Sequence, residues 1–468
     1  MVLLLFIYTI LNASVSSAGF QNIYRVEIAG VPVGIMEAML ILGFTVAIFV
    51  GGSHKPTNDP VDRTHPVFVI CMLCLVIGQL MGMLGMFFHD AALRWKLIFS
   101  REFFGMLAAV YTGYRLIPSM KAASKIPYAF IFAGIGTAIF LLTAFARGSE
   151  RYALHGDTNA LRTVQFVTVY AGVACALLLY SVLSGTRLFP TPIALVLAGF
   201  CFIGQLAPLH RSDWVAQVAA IGAVPLGLRP GQRIRQGFRL ILAAIALVLS
   251  LWIGLHVASA ATGRNFHKTF EDRVISLLPS ERLKQSDQKA WDTRLPAIQV
   301  ELEMWLVNPL MGRGFGAQES TGLDSAVGFG FHHNAYSSTL VQVGIIGFLG
   351  VVLAVWSPVF VGMKLVRAGN DRASVLIGGL GIVAGVQQGV LGMATASFNG
   401  YRMAMMIGLI SGMCFKVRDM QLTALRLNAE YGFMPGYDGT GGAFPVINDA
   451  LAIPDFDDYG RPVGHSYN

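Results

Sequence analysis

Three positions in the sequence carry side chains suited to chemistry: Arg211 in LHRSDWVAQ, Arg294 in WDTRLPAIQ, and His333 with Asn334 in GFGFHHNAYSSTL. A guanidinium is always charged and binds phosphate oxygens through paired hydrogen bonds, so two arginines on one face would suit a diphosphate leaving group. An imidazole that titrates near neutral pH suits the removal of a proton from a sugar hydroxyl. Asn334 could hold such a hydroxyl.

Each of these residues also has a simpler structural interpretation. An arginine at a membrane boundary can extend to lipid head groups. A histidine at the start of a helix is often a packing residue, and Asn334 can cap the helix that follows it. The functional interpretation therefore depends on whether the fold brings these positions together.

The composition indicates an all-α integral membrane protein. Hydrophobic residues make up 54% of the 468 and charged residues only 13%, whereas a soluble chain has about a quarter charged. Apolar runs long enough to cross a bilayer recur along the chain. The excess of 34 basic over 26 acidic residues fits cytoplasmic loops beside anionic lipid, so we expect membrane lipid and no nucleic acid as a partner.

The sequence shows no pattern typical of a metal or disulfide site. All five cysteines fall inside apolar runs, where they are expected to pack as small hydrophobic residues. The loops expected on the non-cytoplasmic side of the membrane contain no Asp-x-Asp motif, and Asp287, Asp292 and Asp324 are scattered. We expect neither a metal nor a cofactor.

The apolar windows predict about twelve transmembrane helices. The first could instead be a signal peptide, but no basic residue precedes it, which favours a retained helix. The predicted spans are 1–15, 31–51, 66–88, 98–118, 127–146, 164–183, 190–208, 213–228, 239–258, 338–361, 373–393 and 402–416.

The basic residues of the short loops predict the orientation of the chain. The cluster from Arg229 to Arg239 is expected in the cytoplasm. Nine spans then occupy residues 1–258, a long periplasmic loop occupies 259–337, three spans occupy 338–416, and 417–468 is a cytoplasmic tail. The tail is rich in Gly, Asp, Pro and Asn, a composition typical of disorder.

The long outer loop contains a predicted amphipathic helix over 291–308. Leu295, Ile298, Leu302 and Trp305 recur at helical spacing, which favours a helix lying on the bilayer surface. Pro309 ends it, and the glycines of PLMGRGFG form a turn that allows close approach of a ligand.

The strings NPLMGRGFG and HHNAYSSTLVQVGIIG resemble the closing segment of the O-antigen ligase and Wzy-type polymerase superfamily. That family carries a P-L-x-G-x-G-x-G-like turn, then H-N-x-x-L-like residues and an E/Q-x-G-x-x-G run. Arg211 and Trp214 are similar to its S-R-x-x-W segment, and Arg294 falls where it has an arginine before the turn. Two departures are His210 in place of the usual Ser and His332, which doubles the histidine. The resemblance covers about 199–349.

The resemblance implies a GT-C-like, metal-independent glycosyltransferase of the bacterial inner membrane with its active site facing the periplasm. It implies His333 as the catalytic residue, Arg211 and Arg294 as diphosphate-binding residues, and Asn334 and Trp214 as substrate-binding residues. The donor would be an undecaprenyl-diphosphate-linked glycan. The acceptor would be the next lipid-linked repeat unit in a polymerase, or the lipid A core in a ligase. The family also suggests a chain-length regulator protein as a partner.

Two other classes of protein are less consistent with the sequence. A transporter or flippase would have broken helices and ionisable groups near the bilayer midplane. The polar residues in the middle of the predicted spans are instead uncharged amides such as Gln79, Gln387 and Gln388. A scaffold of an envelope assembly would give no reason for the arginines and the histidine. We prefer the polymerase to the ligase because the polymerases of several surface polysaccharides together outnumber the ligases.

Overall fold

The structure is a computed structural model of the whole chain, which divides into two compact units, Met1–Thr423 and Ala424–Asn468. The second unit is described only as far as Glu430. The described residues are 26–28, 31–33, 35–52, 65–89, 93–146, 168–208, 210–228, 230–262, 271, 285–317, 334–368, 371–395 and 401–430.

The described chain is almost entirely helical, with thirteen α-helices and three short 3₁₀ turns. The helices are α1 (Ile35–Gly52), α2 (Pro66–Gly85), α3 (Leu93–Arg115), α4 (Met120–Ala123), α5 (Ile126–Ala146), α6 (Thr168–Leu183), α7 (Thr191–Leu206), α8 (Arg211–Ala223), α9 (Arg233–Thr262), α10 (Gln285–Leu306), α11 (Ala335–Ala368), α12 (Arg372–Ala394) and α13 (Tyr401–Glu430).

A small hairpin corrects the purely helical prediction near the N-terminus. Strand β1 (Val26–Ile28) pairs antiparallel with β2 (Val31–Val33), and Val26 lies opposite Val33. The span predicted over 31–51 therefore begins as a strand and becomes helical only at Ile35. The difference comes from the pairing with β1, which lies outside the predicted span and gives the backbone of Val31–Val33 strand partners.

Eleven of the twelve predicted spans coincide with an observed helix, and the span over 1–15 lies outside the described residues. Within the described part, five helical segments are long and apolar enough to cross a membrane, and three apolar helices are shorter. An integral membrane protein is thus supported, while the number of twelve spans stays a prediction. The five segments are Pro66–Phe88, Met120–Thr143, Arg233–Ile253, Ala335–Ala368 and Arg372–Ala394.

Helix α11 lies at the centre of the packing, between α12 on one side and α2 on the other. Small residues allow these helices to come close: a Cβ on Gly78 of α2 would lie 2.5 Å from the Cα of Gly347 in α11. Between lipid-facing helices such close contact replaces the hydrophobic driving force that lipid does not supply. The outer surface stays apolar, as the exposed Ile241, Val248 and Trp252 of α9 show.

The predicted cytoplasmic loops meet at one end of the bundle, which we call the basic end. Arg372, at the start of α12, donates to the Tyr128 hydroxyl (3.0 Å) and to the Arg187 carbonyl (3.3 Å). The Tyr180 hydroxyl, near the end of α6, donates to the Val375 carbonyl (3.0 Å). The starts of α5 and α12 and the end of α6 therefore lie together, as an alternating up-and-down path requires.

The last helix extends beyond the span predicted for it. Helix α13 continues past residue 416 to Glu430, so the first part of the predicted tail is helical. Asp419 accepts hydrogen bonds from the Tyr114 hydroxyl (2.6 Å) and from the His65 backbone amide (3.1 Å). These bonds attach this part of α13 to α2 and α3 at the basic end.

Helix α11 is broken at Gly344, where φ is 65° and ψ is −173°. The turn Pro309–Ala317, here called the glycine turn, packs into the break. The Arg313 and Gly314 amides donate to the carbonyls of Val341 (2.6 Å) and Gln342 (3.1 Å). The Ile345 amide beyond the break donates to the Pro309 carbonyl (2.9 Å). The glycine turn thus satisfies backbone groups that the break removes from the helix.

Gly344→Ala is predicted to destabilise the protein. A backbone with φ 65° and ψ −173° is adopted almost only by glycine and costs another residue about 1–3 kcal/mol, and a Cβ would lie 2.5 Å from the Leu310 carbonyl carbon. We expect a lower melting temperature in detergent and a smaller monodisperse fraction in size-exclusion chromatography.

Gly136→Ala on α5 is the matched control, because nothing lies within 4 Å of the added Cβ. It should leave the melting temperature unchanged or raise it. Equal melting temperatures for the two variants would show that the break does not need glycine.

Candidate functional site

The end of the bundle opposite the basic end, here called the site end, is built around the glycine turn. Gly312, Gly314 and Gly316 have φ values of 69°, 97° and 81°, so three residues of the turn adopt the left-handed region. Phe315 between them is fully buried, and its amide donates to the Gly82 carbonyl of α2 (3.0 Å). The turn is therefore held between α2 and the break in α11.

Asn334 caps the first segment of α11. Its side-chain oxygen accepts from the amides of Tyr336 (2.9 Å) and Ser337 (3.2 Å), which have no carbonyl partner earlier in the helix. Its side-chain nitrogen donates to the Met393 carbonyl near the end of α12 (3.2 Å). The capping interpretation is thus observed, and substrate binding by Asn334 stays a prediction.

Glu301 of α10 contacts the same helix start. The Ser337 hydroxyl donates to a carboxylate oxygen of Glu301, and both residues are buried. Tyr336, between Asn334 and Ser337, donates its hydroxyl to the Gly389 carbonyl (3.0 Å). The start of α11 is therefore attached to α10 on one side and to α12 on the other.

Arg211 is the first residue of α8 and is half-buried. A buried polar network holds this helix start in place. The Thr168 hydroxyl donates to the Asp213 carboxylate (2.8 Å), and the Gln205 amide donates to the Asp213 backbone carbonyl (3.2 Å). These contacts connect the start of α6 and the end of α7 to the turn of helix that carries Arg211.

A second layer of buried amides lies one turn deeper. The Gln387 side chain of α12 donates to Gln217 of α8 (3.3 Å). A Cβ on Gly172 of α6 would meet the ends of the Gln205, Gln217 and Gln387 side chains, so the glycine lets all three amides approach α6 closely. Hydrogen bonds of this kind connect helices in lipid, where water cannot replace them.

Helix α12 sets Arg211 and Asn334 at the same height. Helix α8 runs antiparallel to α12, because Gln217 contacts Gln387 while Gly227 and Val375 share the Tyr180 hydroxyl. Arg211 lies six residues from Gln217, and Met393, which contacts Asn334, lies six residues from Gln387. Six residues rise about 9 Å in a helix, so both positions lie at the site end.

The remaining predicted site residues are placed less directly. Trp214 is 5% exposed and packs in the core one turn below Arg211, so its predicted contact with a substrate has no support from its position. The backbone of Arg294 lies in α10, two turns before Glu301, and its side chain lies outside the description. His333, directly before Asn334, lies outside the described residues, as does His332.

Two charged residues of this end were not predicted from the sequence. Glu301 lies between Val300 and Leu302, and the apolar stripe predicted for α10 gave it no role. In the structure Glu301 and Met304 are buried while Leu302 is exposed. Arg313 is exposed, but the hydrogen bond of its amide to Val341 fixes its position. The glycines around Arg313 were the only available signal for a fixed position.

Among the described residues, no group of three or more His, Cys, Asp or Glu side chains is arranged to hold a metal ion. The five cysteines are all buried thiols. What the site end does offer is the guanidinium of Arg211 at the start of α8, a group suited to a phosphate-bearing ligand, whereas the Asn334 side chain is engaged in capping α11.

The comparison with known families matches the part of the chain that contains the site end. Residues 193–352 match the sequence model of the O-antigen ligase family. The O-antigen ligase segment covers about a third of the chain, from α7 to just beyond the break in α11. It contains Arg211, Arg294, Glu301, the glycine turn and Asn334, and it confirms the resemblance to the O-antigen ligase and Wzy superfamily.

The family match supports a membrane protein that ligates or polymerises glycans and does not distinguish the two activities. No curated protein matches the chain.

Proposed function

We propose that this chain is a glycosyltransferase of the bacterial inner membrane that polymerises undecaprenyl-diphosphate-linked repeat units of a surface polysaccharide on the periplasmic face. One observation carries the proposal: within the O-antigen ligase segment, the helix starts bearing Arg211 and Asn334 lie at one end of the bundle and at one height along α12. Helix α10, which carries Arg294, packs against the start of α11.

The proposed reaction needs no redox partner. The acceptor hydroxyl attacks the anomeric carbon of the donor glycan, and the bond from that carbon to the diphosphate oxygen breaks. His333 takes the hydroxyl proton, and the diphosphate leaves with the electron pair. Arg211 and Arg294 bind it as its charge grows, which stabilises the transition state more than the ground state.

The break in α11 does not favour transport over transfer. A transporter would use the freed carbonyls of a broken helix to coordinate its substrate or ion. Here the carbonyls of Val341 and Gln342 accept hydrogen bonds from the protein's own glycine turn. In the described structure, the break therefore positions the turn instead of presenting those two carbonyls to a ligand.

The second candidate is an O-antigen ligase, which the description of the matching family favours. Deletion of the gene in its native host separates the two candidates. Loss of a polymerase leaves single repeat units on the acceptor, or no polymer in the medium. Loss of a ligase leaves full-length chains on the polyprenyl carrier. Glycan sizing of extracted polyprenyl lipids measures this, and long carrier-bound chains would establish the ligase instead.

The protein is predicted to lose most of its transfer activity when Arg211 or Arg294 is changed to lysine. Lysine keeps the charge but not the planar fork, so Arg→Lys should impair transfer nearly as much as Arg→Ala. A charge-assisted contact contributes roughly 1.5–3 kcal/mol, or about tenfold to a hundredfold in rate. Polymer yield at matched expression measures the effect. Wild-type yield from both lysine variants would show that the two arginines only contact lipid head groups.

His333→Ala is predicted to abolish nearly all polymer, whereas His332→Ala should lose less than about tenfold. A positioned general base contributes roughly a hundredfold to ten-thousandfold. His333→Asn and His333→Ser should fail as well, because they can pack or cap but cannot accept the proton. Full-length polymer from either of these two variants, with unchanged expression and detergent extraction, would remove His333 from the mechanism.

A further inference from the structure

Glu301 is a buried carboxylate at the site end, only 7% exposed. A carboxylate removed from water is costly unless nearby groups stabilise its charge. Its neighbour on the same helix, Glu303, is exposed and accepts a hydrogen bond from Gln299 (3.1 Å). The two glutamates therefore have the same chemistry and opposite environments.

The start of α11 supplies one group that stabilises the Glu301 carboxylate. Ser337, which donates to the Glu301 carboxylate, is the third residue of α11 and lies in its first turn. The segment before the break, 335–343, is a nine-residue helix with a partial positive charge at its start. Glu301 thus places a negative charge beside the start of this segment, bound through the Ser337 hydroxyl and not through the backbone amides.

The charge of Glu301 at the start of α11 affects where a diphosphate can bind. An uncapped helix start at the site end would attract the same diphosphate into a second position. Here the Asn334 side chain already takes the amides of Tyr336 and Ser337, and Glu301 adds a negative charge that repels another anion. Along α10, Arg294 precedes Glu301 by seven residues, about 10 Å of helix.

We propose that Glu301 determines where the diphosphate binds: its carboxylate excludes phosphate groups from the start of α11, confines them to the arginines and leaves the α11 side to the uncharged acceptor sugar. The proposal rests on the proposed function and assigns its two substrates to different sides of the site. Glu301 is a specificity-determining residue in this account, since its charge acts by repulsion.

Glu301→Gln tests the charge alone, because glutamine keeps the volume and an oxygen that can accept the Ser337 hydrogen bond. Inorganic pyrophosphate is the probe, titrated calorimetrically into the full chain in lipid nanodiscs. Glu301→Gln should bind pyrophosphate about tenfold more tightly than wild type, the order expected when one like charge is removed from the neighbourhood of a multiply charged anion. Glu303→Gln removes the same charge at an exposed position and should bind as wild type does.

Ser337→Ala completes the set, since it removes the hydrogen bond and keeps the carboxylate. It should bind pyrophosphate as wild type does, and a Ser337→Ala variant that reproduces the tighter binding would overturn the proposal in favour of local packing. Unchanged pyrophosphate affinity in a folded Glu301→Gln variant would also overturn it. The proposed function fails separately, if wild-type protein transfers no glycan from a lipid-linked donor whatever its pyrophosphate affinity.

Discussion

The insertion of the glycine turn into the break of α11 is the interaction on which the site end depends. Inside a membrane protein, backbone amides and carbonyls need internal partners, because lipid offers none. The break at Gly344 leaves the carbonyls of Val341 and Gln342 without partners in their own helix. The amides of Arg313 and Gly314 donate hydrogen bonds to these two carbonyls. The same turn ends α10, so the break fixes the end of α10 against α11.

Helix α12 connects the two halves of the site. On one face Gln387 contacts Gln217 of α8, and near its end the carbonyl of Met393 holds Asn334 of α11. The side-chain amides around Gly172 are buried. A shift of α8 would therefore separate hydrogen-bonding groups that water cannot reach. The buried amides thus resist changes in the distance between Arg211 and the start of α11.

The charges of the site end are arranged by environment as well as by sequence. Glu301 is stable in a buried position because the Ser337 hydroxyl and the positive end of a helix segment face it. Glu303, two residues later, remains on the exposed side of α10. A helix that carries Arg294 and a buried carboxylate two turns apart can treat a diphosphate and an uncharged sugar differently, which is the basis of the inference about Glu301.

The sequence by itself determined the membrane class, the positions of most helices and the family resemblance, because hydropathy and the glycine and arginine motifs are local properties. It also predicted a helix in the outer loop, but the burial of Glu301 on one face of that helix was not part of the prediction. Only the tertiary structure decided that face, the strand at Val31–Val33 and the break at Gly344. The reason is physical: a glutamate is buried, or a helix is broken, only where residues distant in the chain supply the hydrogen bonds that make either state stable.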